Sequence, residues 1–316
     1  MAAVGTGSGK LILFGEHAAV FGHPAIGVSL PEKTTVTIHS PATKGWNFTG
    51  IPLADRPTLE KLAGRLNDLA PGLASHGAGA ISIESSVPRG VGLGSSAALC
   101  SALAGAALSL VDGEEPSNEL MRTWQLAHEL ERMFHGTPSG VDTGLSLLAG
   151  ATAFSPKPPG LPLWEHLACA PLWLVVGAVP RAAGSGSLIR GIGERMASGE
   201  KDVRDSIQAL GTIADRAKHE LSTGAGADSI GALAEEAMDV LRALELSNPW
   251  LDSLLSEGKR SGAVGGKLSG AGGGGAFFLV CVSEKSAQEN AVALSRAADE
   301  RGITLVAGPR TLRIGS

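Results

Sequence analysis

Between Pro88 and Val111 the chain reads PRGVGLGSSAALCSALAGAALSLV. Three glycines, Gly90, Gly92 and Gly94, alternate with small or apolar residues and lead into Ser95, Ser96 and a long Ala/Leu run. Glycine permits backbone angles that turn successive N–H groups onto one concave face. Serine is favoured as a helix N-cap, and the Ala/Leu run behind it is a strong helix former. A glycine loop that opens onto a helix N-terminus offers an anion both free N–H groups and the positive end of the helix dipole. The spacing predicts a cradle for a triphosphate.

Other side chains suit the chemistry that such a cradle serves. Phosphoryl transfer needs neutralised phosphate charge, magnesium and a group that holds the acceptor hydroxyl. Magnesium takes one or two protein oxygen ligands and completes its shell with water and phosphate, and Glu131 and Ser96 are candidates. Asp142 follows HGTPSGV, a loop stiffened by Gly136, Pro138 and Gly140, and can orient or deprotonate a hydroxyl there. Lys10 opens the apolar stretch KLILF and is a compact cation for Asp142 or a γ-phosphate. Taken singly, Lys10 and Glu131 read as solvated charges and Asp142 as a turn residue. Their co-occurrence with two glycine loops carries the functional reading, the second loop lying within Gly262–Gly275.

Competing chemistries fit poorly. Gly270-Ala-Gly272-Gly273-Gly-Gly275 matches the dinucleotide pattern in letters, but a strand-like run follows it where a helix is required. No Walker A sequence and no nucleophile elbow are present. His128-Glu129 lacks the second histidine of a zinc helix, since Arg132 stands there. A net charge of −5 gives no footprint for nucleic acid. The uncharged run Gly90–Val111 is interrupted by glycine and serine and flanked by no basic cluster, so it reads as a buried helix rather than a membrane span. Three scattered cysteines suit reduced thiols in the cytoplasm, and MAAVGTGSGKL lacks the build of a signal peptide.

The pattern of elements is mixed. Strands are expected at Lys10–Phe14, Lys33–His39, Ala80–Ser85, Ala151–Phe154, Leu172–Val179, Ala276–Val282, Ile303–Val306 and Thr311–Ile314. Helices are expected at Leu59–Leu69, behind Ser95 and Ser96, at Glu119–Phe134, near 202–221, 228–246 and 249–257, and at Ser286–Arg301. Gly15-Glu16-His17 makes a polar turn after the first strand, and PKPPGLP (156–162) reads as a linker. Without regular βαβ repetition the class is α+β.

Four segments, GKLILFGEHAAVFGHPAI (9–26), PRGVGLGSSAA (88–98), ERMFHGTPSGVD (131–142) and KLSGAGGGGAFF (267–278), together resemble the GHMP kinase family. The GEH turn and the HGxPSGxD loop are narrower and resemble its mevalonate kinase branch. The resemblance implies a two-domain fold, an N-terminal domain (1–165) like ribosomal protein S5 domain 2 and a ferredoxin-like C-terminal domain (166–316). It implies phosphorylation of the C5 hydroxyl of mevalonate by ATP with Mg2+. Pro88, Gly90, Gly92, Leu93, Gly94, Ser95, Ser96 and Ala97 would wrap the ATP phosphates, with Gly270, Gly272 and Gly273 closing over them. Ser96 and Glu131 would bind magnesium, and Asp142 and Lys10 would be catalytic. Glu16, His17, Ser139, Gly140 and Ala271 would meet mevalonate. Related kinases are often dimers, so a homodimer is the implied assembly. Thr143 departs from the family's usual Asn, and Ala276 from its usual Cys. Ser185 or Ser187 stands in for a family Thr. A kinase for phosphomevalonate, homoserine or a sugar is the first alternative, and an ATP-binding regulator without turnover the second. Retention of Lys10, Glu131 and Asp142 argues against the regulator.

Overall fold

The computed structural model describes the chain apart from residues 1, 41–45, 49–52, 76–78, 113–118, 158–159, 182–184 and 316. Its strands are β1 (Ala2–Phe14), β2 (Ala25–His39), β3 (Asn47–Phe48), β4 (Ala80–Ser85), β5 (Ala151–Ser155), β6 (Leu163–His166), β7 (Leu172–Val179), β8 (Gly265–Leu268), β9 (Gly275–Cys281) and β10 (Ala307–Ile314). Its helices are α1 (Arg56–Leu69), α2 (Gly72–Ser75), α3 (Ser95–Asp112), α4 (Glu119–His135), α5 (Val141–Leu147), α6 (Ser185–Ala197), α7 (Lys201–Ser222), α8 (Ala227–Ala243), α9 (Pro249–Arg260) and α10 (Glu284–Glu300). The chain divides into two compact units made of interleaved segments. The first holds Met1–Lys10, Ser29–Val87 and Gly94–Leu148, and the second Leu11–Val28, Pro88–Leu93 and Ala149–Ser316.

In the first unit β1 begins well ahead of KLILF. Ala3, Gly5, Gly7 and Gly9 alternate as buried residues along it. A Cβ placed on Gly5 would lie 2.1 Å from the Ala102 carbonyl oxygen, and one on Gly7 2.3 Å from that of Ala98. The strand therefore lies against the bare backbone of α3, an approach that only glycine allows. Helix α3 starts at Ser95, and the Ala98 N–H bonds the Gly94 carbonyl. Ser95 and Ser96 thus sit inside the first turn rather than ahead of it, which corrects their reading as N-caps. The core gathers Val36 and Ile38 of β2, Leu59, Leu62 and Leu66 of α1, Leu103 of α3, and Leu126 and Leu130 of α4. Residues Thr34–His39 of β2 pair antiparallel with β4, and β3 pairs parallel with β4.

In the second unit a sheet of order β10-β7-β9-β8 is antiparallel throughout. Chain order β7, helices, β8, β9, α10, β10 makes it the split βαββαβ arrangement of ferredoxin-like domains. Helices α8, α9 and α10 pack on this sheet, and β9 (GAFFLVC) is buried along its whole length. Residues Ala25–Val28 of β2 pair here with β5, and β5 with β6. Pro31 lies between the stretches of β2 that pair with β4 and with β5, and β1 also pairs with β2. Ile303–Val306, expected as a strand, is a connection. The Ile303 N–H bonds the Ala298 carbonyl and closes the end of α10 instead of joining a ladder. The expected Thr311–Ile314 strand is the end of β10. Part of the PKPPGLP segment, residues 158–159, lies outside the described residues.

Among the described residues no helix is long and apolar enough to cross a membrane. Cys100, Cys169 and Cys281 are buried and free.

The approach of β1 to α3 is tested by Gly5→Ala. We expect it to lower unfolding free energy by roughly 1–3 kcal/mol in urea titration, the usual cost of overpacking. Gly64→Ala in α1, where a Cβ meets nothing within 4 Å, should instead be stabilising by up to about 1 kcal/mol. Equal effects of the two changes would refute the backbone contact.

Candidate active site

Strand β1 delivers Lys10 to the first group of site residues. A Cβ on Gly94 would stand 2.6 Å from Lys10 Cγ, so the third glycine of the loop makes room for the lysine stem. The ammonium lies 3.0 Å from Asp142 Oδ2, and the aspartate side chain stays 38% exposed, within reach of a ligand. Asp142 was expected in a loop but occupies the first turn of α5, where a carboxylate is favoured by the helix dipole. The start of that helix is held from several sides. The Trp124 indole N–H donates to the Gly140 carbonyl at 3.0 Å, the Thr143 hydroxyl donates to the same oxygen at 3.2 Å, and the Val141 N–H donates to Ser139 Oγ at 3.4 Å. Thr143, the departure from the family's Asn, is thereby accounted for in this chain.

Ser96 and Glu131 meet as the sequence analysis required. The Ser96 hydroxyl donates to Glu131 Oε1 at 2.8 Å, and His135 Nε2, one turn further along α4, lies 3.2 Å from the same oxygen. The hydrogen bond that His135 donates to the Glu131 carboxylate raises the pKa of the histidine. Burial, and then the charge of Glu131, push the Cys100 thiol well up. Glu131 is 1% exposed, yet its Oε2 has no hydrogen-bond partner among the described residues. A buried carboxylate oxygen left over beside a hydroxyl is a hard oxygen pair suited to a small divalent cation. Among the described residues no group of three or more His, Cys, Asp or Glu side chains is arranged to hold a metal ion.

The second group lies in the second unit. Gly90 and Gly92 have φ of 74° and 87°, as Gly94 of the first unit has 85°, and Gly270, Gly272, Gly273, Gly274 and Gly275 are likewise left-handed. Around the missing Cβ of Gly90 there is open space, whereas at Gly92 the Arg181 guanidinium stands 2.6 Å away. The Val91 carbonyl accepts from the Ala276 N–H at 2.7 Å, which fixes Pro88–Leu93 to the start of β9. The glycine run joins β8 to β9, with strands on both sides, so the dinucleotide fingerprint is excluded.

Glu16 and His17 are 5% and 6% exposed. The Glu16 carboxylate is paired with the Lys267 ammonium. His17 has φ of 59°, and its Nε2 lies 3.1 Å from the Ala271 carbonyl. Burial above all lowers its pKa to about 4; the bond to Ala271 raises it and the nearby Lys267 lowers it. The ring is therefore neutral at pH 7 and donates through Nε2–H. Its Nδ1 is then a buried acceptor with no hydrogen-bond partner among the described residues.

Four residues of these groups escaped the sequence analysis. His135 carried a signal, since it stands one helical turn from Glu131. Lys267 and Ser269 stand just before the glycine run, Lys267 in β8 and Ser269 directly after it. Trp124 had no signal beyond its place in an amphipathic helix. Ser185 has no described side-chain placement, so its suggested substitution for a threonine lies outside the described residues.

Comparison with known proteins places these residues in context. The family description GHMP kinases N terminal domain matches residues 56–150, and GHMP kinases C terminal matches residues 201–300. Together they span more than half of the chain. Mevalonate kinase of Pyrococcus abyssi is 27% identical over 311 residues, covering 90% of this chain and 90% of that protein. The crystal structure of L. major mevalonate kinase in complex with R-mevalonate superposes with a TM-score of 0.79 at 22% identity, covering 99% of this chain and 95% of that one. Mevalonate kinase from Staphylococcus aureus gives a TM-score of 0.69 at 25% identity, covering 100% and 99%.

The neutrality of His17 has a pH signature. Its folded pKa lies below the unfolded value of 6.5, so the unfolded chain takes up the proton first. Stability contributed by His17 is full above pH 6.5 and is lost as pH falls from there toward 4. Between pH 7 and 4.5 wild type should lose on the order of 2 kcal/mol more than His17→Gln in chemical denaturation. Parallel pH profiles would show that the ring titrates normally.

Proposed function

We infer that this chain, which belongs to the GHMP kinase family, transfers the γ-phosphoryl group of ATP to the C5 hydroxyl of mevalonate. The observation that carries the reading is the Lys10–Asp142 pair, with the lysine stem packed on the last glycine before α3. In the proposed reaction the C5 oxygen bonds to the γ-phosphorus while the bond from that phosphorus to the bridging oxygen breaks. The hydroxyl proton passes to Asp142, and ADP leaves. Lys10 steadies the developing charge on the alkoxide and on the phosphoryl group in transit.

The left-handed glycines of 90–94 and the first turn of α3, with Pro88, Leu93, Ser95 and Ala97, support binding of the ATP phosphates. Gly270, Gly272 and Gly273 are proposed to close over them. Ser96 and Glu131 would hold magnesium, which when bound supplies charge neutralisation to the phosphates. His17 is proposed to accept a hydrogen bond from a mevalonate hydroxyl through Nδ1, with Ala271, Ser139 and Gly140 forming further contacts. Glu16 shapes the turn that carries His17, since its carboxylate is engaged by Lys267. The matched ranges 56–150 and 201–300 support a division into domains 1–165 and 166–316. Free, buried cysteines support a cytoplasmic protein. Assembly as a homodimer is proposed from the family resemblance.

A coupled ADP-release assay with Mg-ATP should show turnover on mevalonate and not on mevalonate 5-phosphate, homoserine or galactose. Turnover on another acceptor would keep the mechanism and discard the substrate. Asp142→Asn should lower kcat by about 100-fold or more, the usual reach of a general base, with the KM for ATP nearly kept. Near-normal kcat would remove Asp142 from the reaction. Glu131→Gln should raise the half-saturating magnesium concentration by about tenfold or more, the scale seen for groups supporting a metal. An unchanged magnesium titration would take Glu131 out of the metal shell.

A further inference from the structure

From Lys267 to Ala271 every second residue reaches the same short stretch of chain, the end of β1 and the turn after it. Lys267 pairs with Glu16. Ser269 inserts its hydroxyl into the backbone of β1: it accepts from the Ile12 N–H at 3.0 Å and donates to the Ile12 carbonyl at 2.8 Å. The Ala271 carbonyl accepts from His17. Lys267 reaches from the end of β8, Ser269 from just beyond it, and Ala271 through its backbone carbonyl after the left-handed turn at Gly270.

Lys267 is the unusual member. Its side chain is fully buried. Besides Glu16 it donates to the Leu268 carbonyl at 2.8 Å, and its ammonium lies 5.9 Å and 5.4 Å from the ring centroids of Phe14 and Phe278. A carboxylate, a carbonyl and two aromatic faces thus fix the position of the charge. Burial pulls the ammonium below the usual lysine range, and Glu16 acts against that pull. A wholly buried ion pair contributes little net stability over a well-packed apolar pair, whereas removing one partner is costly. Its use here lies in registration, because the pair ties the turn bearing His17 to the stem of the glycine run.

We propose that Lys267 is a positioning residue for substrate, clamping the Gly15–His17 turn to the base of the Ser269–Gly274 loop and so setting the ring of His17. The proposal rests on the assignment of His17 to mevalonate made above. It is distinct from Lys10, which faces Asp142. Lys267 touches neither substrate nor nucleotide in this account; it acts through Glu16 and His17.

The test compares wild type, Lys267→Met and the double variant Glu16→Gln/Lys267→Met. Three quantities are read: thermal stability, the KM values for mevalonate and ATP, and the His17 tautomer by NMR of isotope-labelled histidine. Lys267→Met should raise the mevalonate KM by about tenfold or more while the ATP KM stays within about threefold. The single Nε2–H tautomer of wild type should become a mixture. The double variant holds neither charge of the pair, so its stability should recover, yet its mevalonate KM should stay raised and its tautomers mixed. A single tautomer with a mevalonate KM within about twofold of wild type in Lys267→Met would overturn the proposal. So would a double variant that regains KM along with stability, because Lys267 would then merely balance a buried charge. If Lys267→Met fails to fold, the double variant decides by the same readouts. A wild-type protein inactive on mevalonate would overturn the proposed activity, while the His17 tautomer would still report on the clamp.

Discussion

Strand β1 and helix α3 meet with no side chains between their backbones, and the first unit depends on that contact. Because Gly5 and Gly7 let the helix carbonyls of Ala102 and Ala98 come so close, the strand and helix have almost no freedom to slide. Three residues past Gly7 the strand carries Lys10, and the helix begins directly after Gly94, on which the lysine stem lies. Ser96 then falls in the first turn of α3, within hydrogen-bond reach of Glu131 on α4. Packing that would be remarked on only as tight is what fixes a cation, a hydroxyl and two carboxylates. A site assembled on rigid elements needs little reorganisation when charge develops.

Much of this was legible in the sequence, and the gaps have physical causes. Helices α7, α8 and α10 and strands β7 and β9 follow from periodicity or from continuous apolar runs, because burial alone shapes them. The early half of β1 was hidden, since its buried face is made of alanine and glycine and gives no apolar signal. Ile303–Val306 looked like a strand by composition, but its first N–H finishes a helix and only its last, that of Val306, reaches β7 at the Ala178 carbonyl. At the site, residue types were readable wherever glycine or a carboxylate was demanded by chemistry. Partnerships were not. Trp124 reaches Gly140 across a helix and a loop, and Lys267 reaches Glu16 across 251 positions, so neither spacing has a local pattern.

Two buried charges of the first unit, Lys10 and Glu131, share one device: the partner holds the charge while part of the pair is left over. Lys10 is 4% exposed, whereas its aspartate stays open to solvent. Glu131 shares one oxygen with Ser96 and His135 and keeps the other. His17 is kept neutral by burial, so it offers a lone pair instead of a proton. Charges placed in low dielectric act strongly on whatever is bound beside them, provided that they do not relax away.

The second unit has its earliest residues, 11–28, tied to its late ones, and this shapes how the chain comes into being. Ile12 is 257 positions from Ser269, and Glu16 is 251 from Lys267. On a ribosome, Glu16 in the turn that carries His17 emerges 251 positions before Lys267 and stays without that lysine until then. Contacts of such long separation form late, after their loop-closure entropy has been met. The first unit is complete by Leu148, before the strands of the ferredoxin-like sheet are translated. In a nascent chain halted short of β8, Lys10 and Asp142 would both already be made while Glu16 still lacked its counter-ion.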